Sequence, residues 1–179
     1  MKDNLENLIE GCKKRDPKAQ RGLYDFLAPR MLAVCRRYVH DEESAEDVMQ
    51  DGFVMLFDKI TTYRGDGAFE GWARRIFVNA ALMQIRKNDA LKFSDNIEDS
   101  QAMQMVQANT LEKISADEIF KLVNSMPENF RSVFNLYVVE GYTHVEIAEM
   151  LSTTEGSSRS QLSRARAWLQ NKIKNDELI

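Results

Sequence analysis

Residues 143–174 read THVEIAEMLSTTEGSSRSQLSRARAWLQNKIK, and this stretch decides the architecture. Thr143 and Glu146 have the spacing of a capping box, which opens a helix over His144 to Leu151. The turn STTEG follows, and Thr154 is placed to cap a second helix. At about 100° per residue, Ser158, Leu162, Ala165, Leu169 and Ile173 share one face of that helix, and this face packs inward. Ser157, Ser160 and Arg164 fall opposite, flanked by Gln161 and Ser163. Small hydroxyls let a helix lie deep in a groove; Arg matches guanine edges and Gln matches adenine. Arg159, Arg166, Lys172 and Lys174 suit phosphates instead. A short capped helix, a tight turn and a basic second helix make a helix-turn-helix for duplex DNA. A merely solvated basic helix leaves the capped partner and the turn without a purpose.

The rest of the chain is consistent with helices throughout. Its 179 residues suffice for one domain or two small ones. With 8 Gly, 3 Pro and 9 Met among many Leu, Ala, Glu, Lys and Arg, the composition predicts an all-α fold. Cys12 and Cys35 form no CxxC pair and no cluster with His, so reduced thiols are expected rather than zinc or a disulfide framework. No signal-type segment opens the chain, and no apolar run approaches roughly 18 residues, so no membrane insertion and a cytoplasmic location are expected. His40 and His144 are isolated, and no phosphate loop, GxSxG or HExxH occurs, so neither enzymatic chemistry nor a cofactor or metal is expected. Net charge is −4, yet Gly156 to Asn175 holds five basic residues and no acid. That asymmetry aims one DNA contact and leaves other surfaces for other partners.

Two helical blocks and a flexible linker are expected: residues 1–88, 89–114 and 115–179. In the first block a helix covers roughly Leu5 to Lys14. Asp16-Pro17 starts a second, which Pro29 should end or kink. A third spans about Glu43 to Ile60, TTYRGDG over Thr61 to Gly67 is a loop, and a fourth runs from Phe69 to Lys87. The linker is polar and net acidic. Ser115 and Glu118 cap the next helix, which ends near Met126-Pro127; another runs from Pro127 to Glu140 and stops at Gly141.

Two further stripes stand out. On the fourth helix Phe69, Ala73, Ile76, Ala80 and Met83 are read as the core face. Beside it Trp72, Arg75, Asn79 and Arg86 form a stripe, with Tyr63 and Arg64 in the preceding loop. An aromatic with Arg and Asn stacks on and hydrogen-bonds unpaired bases, although a core Trp with solvated arginines has the same pattern. On the third helix Met49, Phe53, Leu56 and Ile60 face inward. Asp47, Asp51, Val54 and Asp58 lie opposite, with Gln50 beside them. An outward Val in an acidic stripe suits a basic protein partner, but also a solvated face with one stray apolar residue.

In this order the stripes resemble the extracytoplasmic-function (ECF) sigma factors of the sigma-70 family. AEDVMQDGFVMLFDKI is similar to the family's helix that docks on the clamp coiled coil of RNA polymerase. FEGWARRIFVNAALMQIRK is similar to its −10 recognition helix, and MPENFRSVFNLYVVEGYTHVEIAEMLSTTEGSSRSQLSRARAWL to its −35 module. The resemblance implies that Asp47, Gln50, Asp51 and Val54 contact core polymerase. It implies that Tyr63, Arg64, Trp72, Arg75 and Asn79 handle melted −10 DNA. Ser157, Arg159, Ser160, Gln161, Arg164 and Arg166 would then serve the −35 duplex, and the linker would thread toward the active cleft. An anti-sigma factor is a partner such proteins often have. The chain departs from the family pattern where Met83 replaces a common Asp, Ser152 a common Gly, Thr153 and Ser158 an aliphatic pair, and Gln161 a basic residue. A dimeric operator-binding regulator and a helical adaptor without a DNA role are the rival readings. Both leave stripes unused.

Overall fold

Local caps set the helix starts. A computed structural model describes residues 2–39, 41–92 and 116–175, with side chains over 4–39, 41–87 and 118–173. The chain divides into two compact units, residues 1–91 and 92–179, and all regular elements among the described residues are helical.

In the first unit α1 covers Lys2–Lys13 and α2 Pro17–Cys35. Asp16 caps α2 by accepting from Lys18 N at 3.0 Å, with Pro17 in the first turn, where its missing N–H costs nothing. Pro29 does not end the helix; α2 continues to Cys35. Pro29 and Asp25, whose carbonyl loses its donor, are both exposed. Leu23, Leu27, Met31, Val34 and Cys35 are buried on either side of the proline and hold the helix to the core. α1 and α2 approach closely: a β-carbon on Gly11 would lie 2.4 Å from that of Ala19.

α3 spans Glu42–Lys59, capped by Asp41, which accepts from Ser44 N at 2.8 Å. Its buried positions Ala45, Val48, Met49, Gly52, Phe53 and Leu56 follow one helical stripe, and Ile60 is buried just beyond in a 3-10 turn, Ile60–Thr62. Phe53 anchors an aromatic cluster with Tyr24 at 4.5 Å and Phe77 at 5.0 Å. α4 runs Phe69–Lys92, past the expected end at Lys87 and into the stretch read as linker. The remaining linker, residues 93–114, lies outside the described residues, as do His40 and the capping residue Ser115.

One face of α4 needs correction. Phe69, Ala73, Ile76 and Ala80 are buried, but Met83 is 53% exposed. Phe77, Val78, Ala81, Leu82 and Ile85 are buried too, so the buried arc covers more than half the helix and is centred on Phe77. Met83 falls at the edge of the outward arc that carries Arg75 and Asn79. Both cysteines are free and buried, and burial pushes the Cys12 thiol up to about 11 and Cys35 to about 12, so neither is a reactive thiolate.

In the second unit α5 covers Ala116–Asn124 and α6 Glu128–Phe134. Buried Arg131 of α6 donates from Nη1 to the carbonyl of Asn124 at 2.9 Å and so closes the end of α5. The helix expected to run on to Glu140 instead widens into a π-turn, Asn135–Val139, where Glu140 N donates to Asn135 O at 2.9 Å. This turn keeps Asn135 and Leu136 buried before Gly141, at φ +79°, ends it. α7, His144–Met150, has the expected capping box. A Schellman-type bond from Thr153 N to Ala148 O, 2.9 Å, closes α7 with Ser152 at φ +52°. Thr154 caps α8, Glu155–Asn175, by accepting from Ser157 N at 3.1 Å.

Candidate nucleic-acid and polymerase surfaces

α8 buries the stripe expected of it. Ser158, Leu162 and Ala165 are buried, while Leu169 and Ile173 are half-buried. Outward, Arg159, Ser160, Arg164 and Arg166 are exposed; Ser157 and Gln161 are half-buried and bonded to each other, Gln161 Nε2 donating to Ser157 Oγ at 3.4 Å. Arg159 is engaged by its own helix: Nε donates to Glu155 Oε1 at 3.1 Å. The Arg166 guanidinium lies 6.0 Å from the centre of the Tyr137 ring. Lys172 sits similarly over Trp168 at 5.9 Å, and the Lys174 side chain lies outside the described residues.

Behind this face is a polar junction that sequence reasoning missed. His144 Nδ1 lies 2.9 Å from Ser158 Oγ, and Ser158 is fully buried. The imidazole stacks on Tyr137, centroids 4.5 Å apart at 22°. Burial, then the nearby positive charge of Arg159, holds His144 below its ordinary pKa, so it is neutral at pH 7. The signal was a hydroxyl on an otherwise apolar stripe, which requires a buried partner.

On the first unit, Tyr63, Phe69 and Trp72 form a ring cluster. Tyr63 lies 5.0 Å from Phe69 and 5.3 Å from Trp72, and Phe69 lies 5.4 Å from Trp72. The Tyr63 hydroxyl donates to Gly67 O at 2.8 Å, which ties the loop back on itself; Gly65 and Gly67 supply the positive φ, +87° and +84°, that so tight a return requires. Arg64 projects from this loop, exposed. From the cluster an outward row continues along α4 through exposed Arg75, Asn79, Met83 and Arg86. Trp72 is half-buried, so it is neither plain core nor fully solvated. The loop also walls a cleft of about 620 Å³ with Ile9, Glu10 and Lys13 of α1, a contribution the sequence did not reveal.

On α3 the row Asp47, Gln50, Asp51, Val54 and Asp58 is exposed in full, and Val54 is 62% exposed. An apolar side chain in one row with three carboxylates on a helix is a surface suited to a protein rather than to DNA, whose phosphates it would repel.

No helix among the described residues is long and apolar enough to cross a membrane, and none of them forms a group of His, Cys, Asp or Glu able to hold a metal ion.

Comparison with known proteins gives a consistent result. Residues 23–91 match the family description Sigma-70 region 2, and residues 116–169 match Sigma-70, region 4. The chain is 28% identical to the ECF RNA polymerase sigma-E factor of Escherichia coli (strain K12), covering 93% of this chain and 92% of that one. It is 27% identical to the same-named factor of Haemophilus influenzae, over 93% of each. Among solved structures it is similar to the sigma factor RpoE in complex with the anti-sigma factor NepR from Bartonella quintana, with TM-score 0.54, 21% identity, and coverage of 88% of this chain and 98% of that one. It is also similar to CnrH in complex with the cytosolic domain of CnrY, with TM-score 0.52, 18% identity, and coverage of 97% and 99%.

Proposed function

The chain belongs to the sigma-70 family as an ECF sigma factor, and from that premise we propose how its three surfaces divide the work. α3 docks on core RNA polymerase through Asp47, Gln50, Asp51 and Val54. The α4 row and its loop, Tyr63, Arg64, Trp72, Arg75 and Asn79, hold the melted −10 strand. α8 reads the −35 duplex, with Ser157, Ser160, Gln161 and Arg164 toward the bases and Arg159 and Arg166 toward phosphates.

The observation that carries this reading is the α4 row. Exposed Arg75 and Asn79 continue from a half-buried Trp72 in a three-ring cluster. A duplex-operator regulator has no use for such a platform, whereas unpaired bases stack on it at about 1–3 kcal/mol each. Polymerase holds both DNA-reading units at once, so each raises the effective concentration of the other. Binding that favours unstacked bases shifts the equilibrium toward open DNA. The factor makes and breaks no covalent bonds and acts in the cytoplasm, where polymerase and promoter lie. One similar solved structure is a sigma factor in complex with an anti-sigma factor, and an anti-sigma factor is a candidate partner here too.

Selection of promoter fragments from a random DNA pool, with core polymerase plus this chain, tests the assignment. Two conserved elements at a fixed spacing are the expected result. Enrichment of a single element or of an inverted repeat contradicts it.

A further inference from the structure

α8 is held to its unit through a polar contact where an apolar one would serve for stability alone. Ser158 is fully buried on the inward face, and its Oγ meets His144 Nδ1 at 2.9 Å. His144 is the first residue of α7, a position fixed by the capping box of Thr143 and Glu146. Its ring stacks on Tyr137 of the π-turn at 4.5 Å, and the Arg166 guanidinium lies 6.0 Å from that same Tyr137 ring. The series Ser158, His144, Tyr137, Arg166 thus starts on the inward face of α8 and returns to an exposed residue on its flank.

A hydrogen bond is directional, and a buried hydroxyl that loses its partner bears the full desolvation cost. An aliphatic contact at position 158 would allow α8 to slide or rotate slightly with little loss. The bond to His144 does not allow it. Base-edge contacts depend on placement within a fraction of an ångström; phosphate contacts tolerate more.

We propose that His144 is a positioning residue for duplex reading: through Ser158 it sets the register of α8, and with it the base-facing Ser160, Gln161 and Arg164, so discrimination between promoter and other DNA depends on it. The proposal rests on the reading of α8 as the −35 reader.

The test uses holoenzyme assembled from core polymerase and the full chain. Two probes are compared at one salt concentration: a promoter duplex recovered from the random pool, and the same duplex with its upstream element shuffled. His144→Ala is expected to weaken promoter binding about tenfold and shuffled-duplex binding by less than about twofold. His144→Asn, whose side-chain amide reaches the Ser158 hydroxyl, recovers most of the loss. Ser158→Ala added to His144→Ala costs little more, because the two act on one contact. Melting temperatures identify any variant that fails to fold, and His144→Asn then carries the comparison. Equal weakening on both probes overturns the proposal, as does unchanged discrimination in His144→Ala, or failure of Asn to restore it. Wild-type holoenzyme that does not distinguish the probes removes the −35 reading itself and the proposal with it.

Discussion

Gly52 of α3 and Phe77 of α4 meet so closely that a β-carbon at position 52 would lie 2.4 Å from the Phe77 ring. The contact lies between the back of the proposed polymerase-docking face and the back of the −10 row. It fixes the two functional surfaces of the first unit against each other.

Gly52→Ala therefore has little room to be accommodated, since the atom in the way is a ring buried at 0% exposure. Overpacking of this kind costs about 1–3 kcal/mol, more than the helix propensity gained by replacing glycine. A lowered melting temperature of residues 1–91 within the full chain is the expected outcome. An unchanged or raised value would show that α3 and α4 are not locked here.

Ser152 sits at φ +52°, in the left-handed region, where a side chain costs about 1–2 kcal/mol that glycine avoids. Part of that gain is offset by glycine's greater freedom in the unfolded chain. Ser152→Gly should stabilise the second unit by somewhat under about 1 kcal/mol, read as a modest rise in its melting temperature. Destabilisation would mean that the serine hydroxyl contributes something the backbone geometry does not reveal.

The Arg159–Glu155 pair is exposed, with both groups on the first turns of α8. Such a pair adds little to stability, but it occupies a cation proposed to face phosphate. Glu155→Gln frees Arg159 and removes a charge that repels DNA. Holoenzyme should then bind promoter more tightly, with a steeper salt dependence by up to about one phosphate contact. Weaker binding with an unchanged salt slope would place Arg159 away from DNA.

Acid should destabilise the second unit through His144. Its pKa lies below the ordinary 6.5 because of burial and Arg159, with Arg166 adding to the effect and Glu155 opposing it; Tyr137 and Ser158 pack against the ring without charge. The unfolded chain therefore binds a proton more readily than the native one. Stability is fully present above pH 6.5, declines as pH falls below it, and levels off once native His144 is also charged. Denaturant melts at about pH 7.5 and about pH 5.5 should show a larger loss for the wild type than for His144→Asn. Equal losses would exclude His144 as the source.

The helix starts and the outward rows were legible because their causes are local. Asp16-Pro17, Thr143 with Glu146, and Thr154 act within one turn, and the α3 row repeats at helical spacing on a helix with one buried face. Where burial extends most of the way round, periodicity loses its reference, and Met83 reads as inward for that reason. Pro29 shows the reverse: a local breaker overruled by the apolar residues on both sides of it. The π-turn and the α1 wall of the cleft leave no mark in residue spacing. The His144–Ser158 bond joins residues 14 positions apart, so only the folded turn brings it into view.

On the proposed reading, one chain directs core polymerase through α3. Promoter-specific run-off transcription with purified core enzyme measures this most directly, comparing the wild type with Asp51→Arg, a substitution at an exposed position. The wild type should give a discrete transcript. Asp51→Arg should abolish it, and core binding with it, while both units melt as before. A protein that binds duplex promoter but yields no transcript with core enzyme, or an Asp51→Arg variant of undiminished activity, would contradict the account.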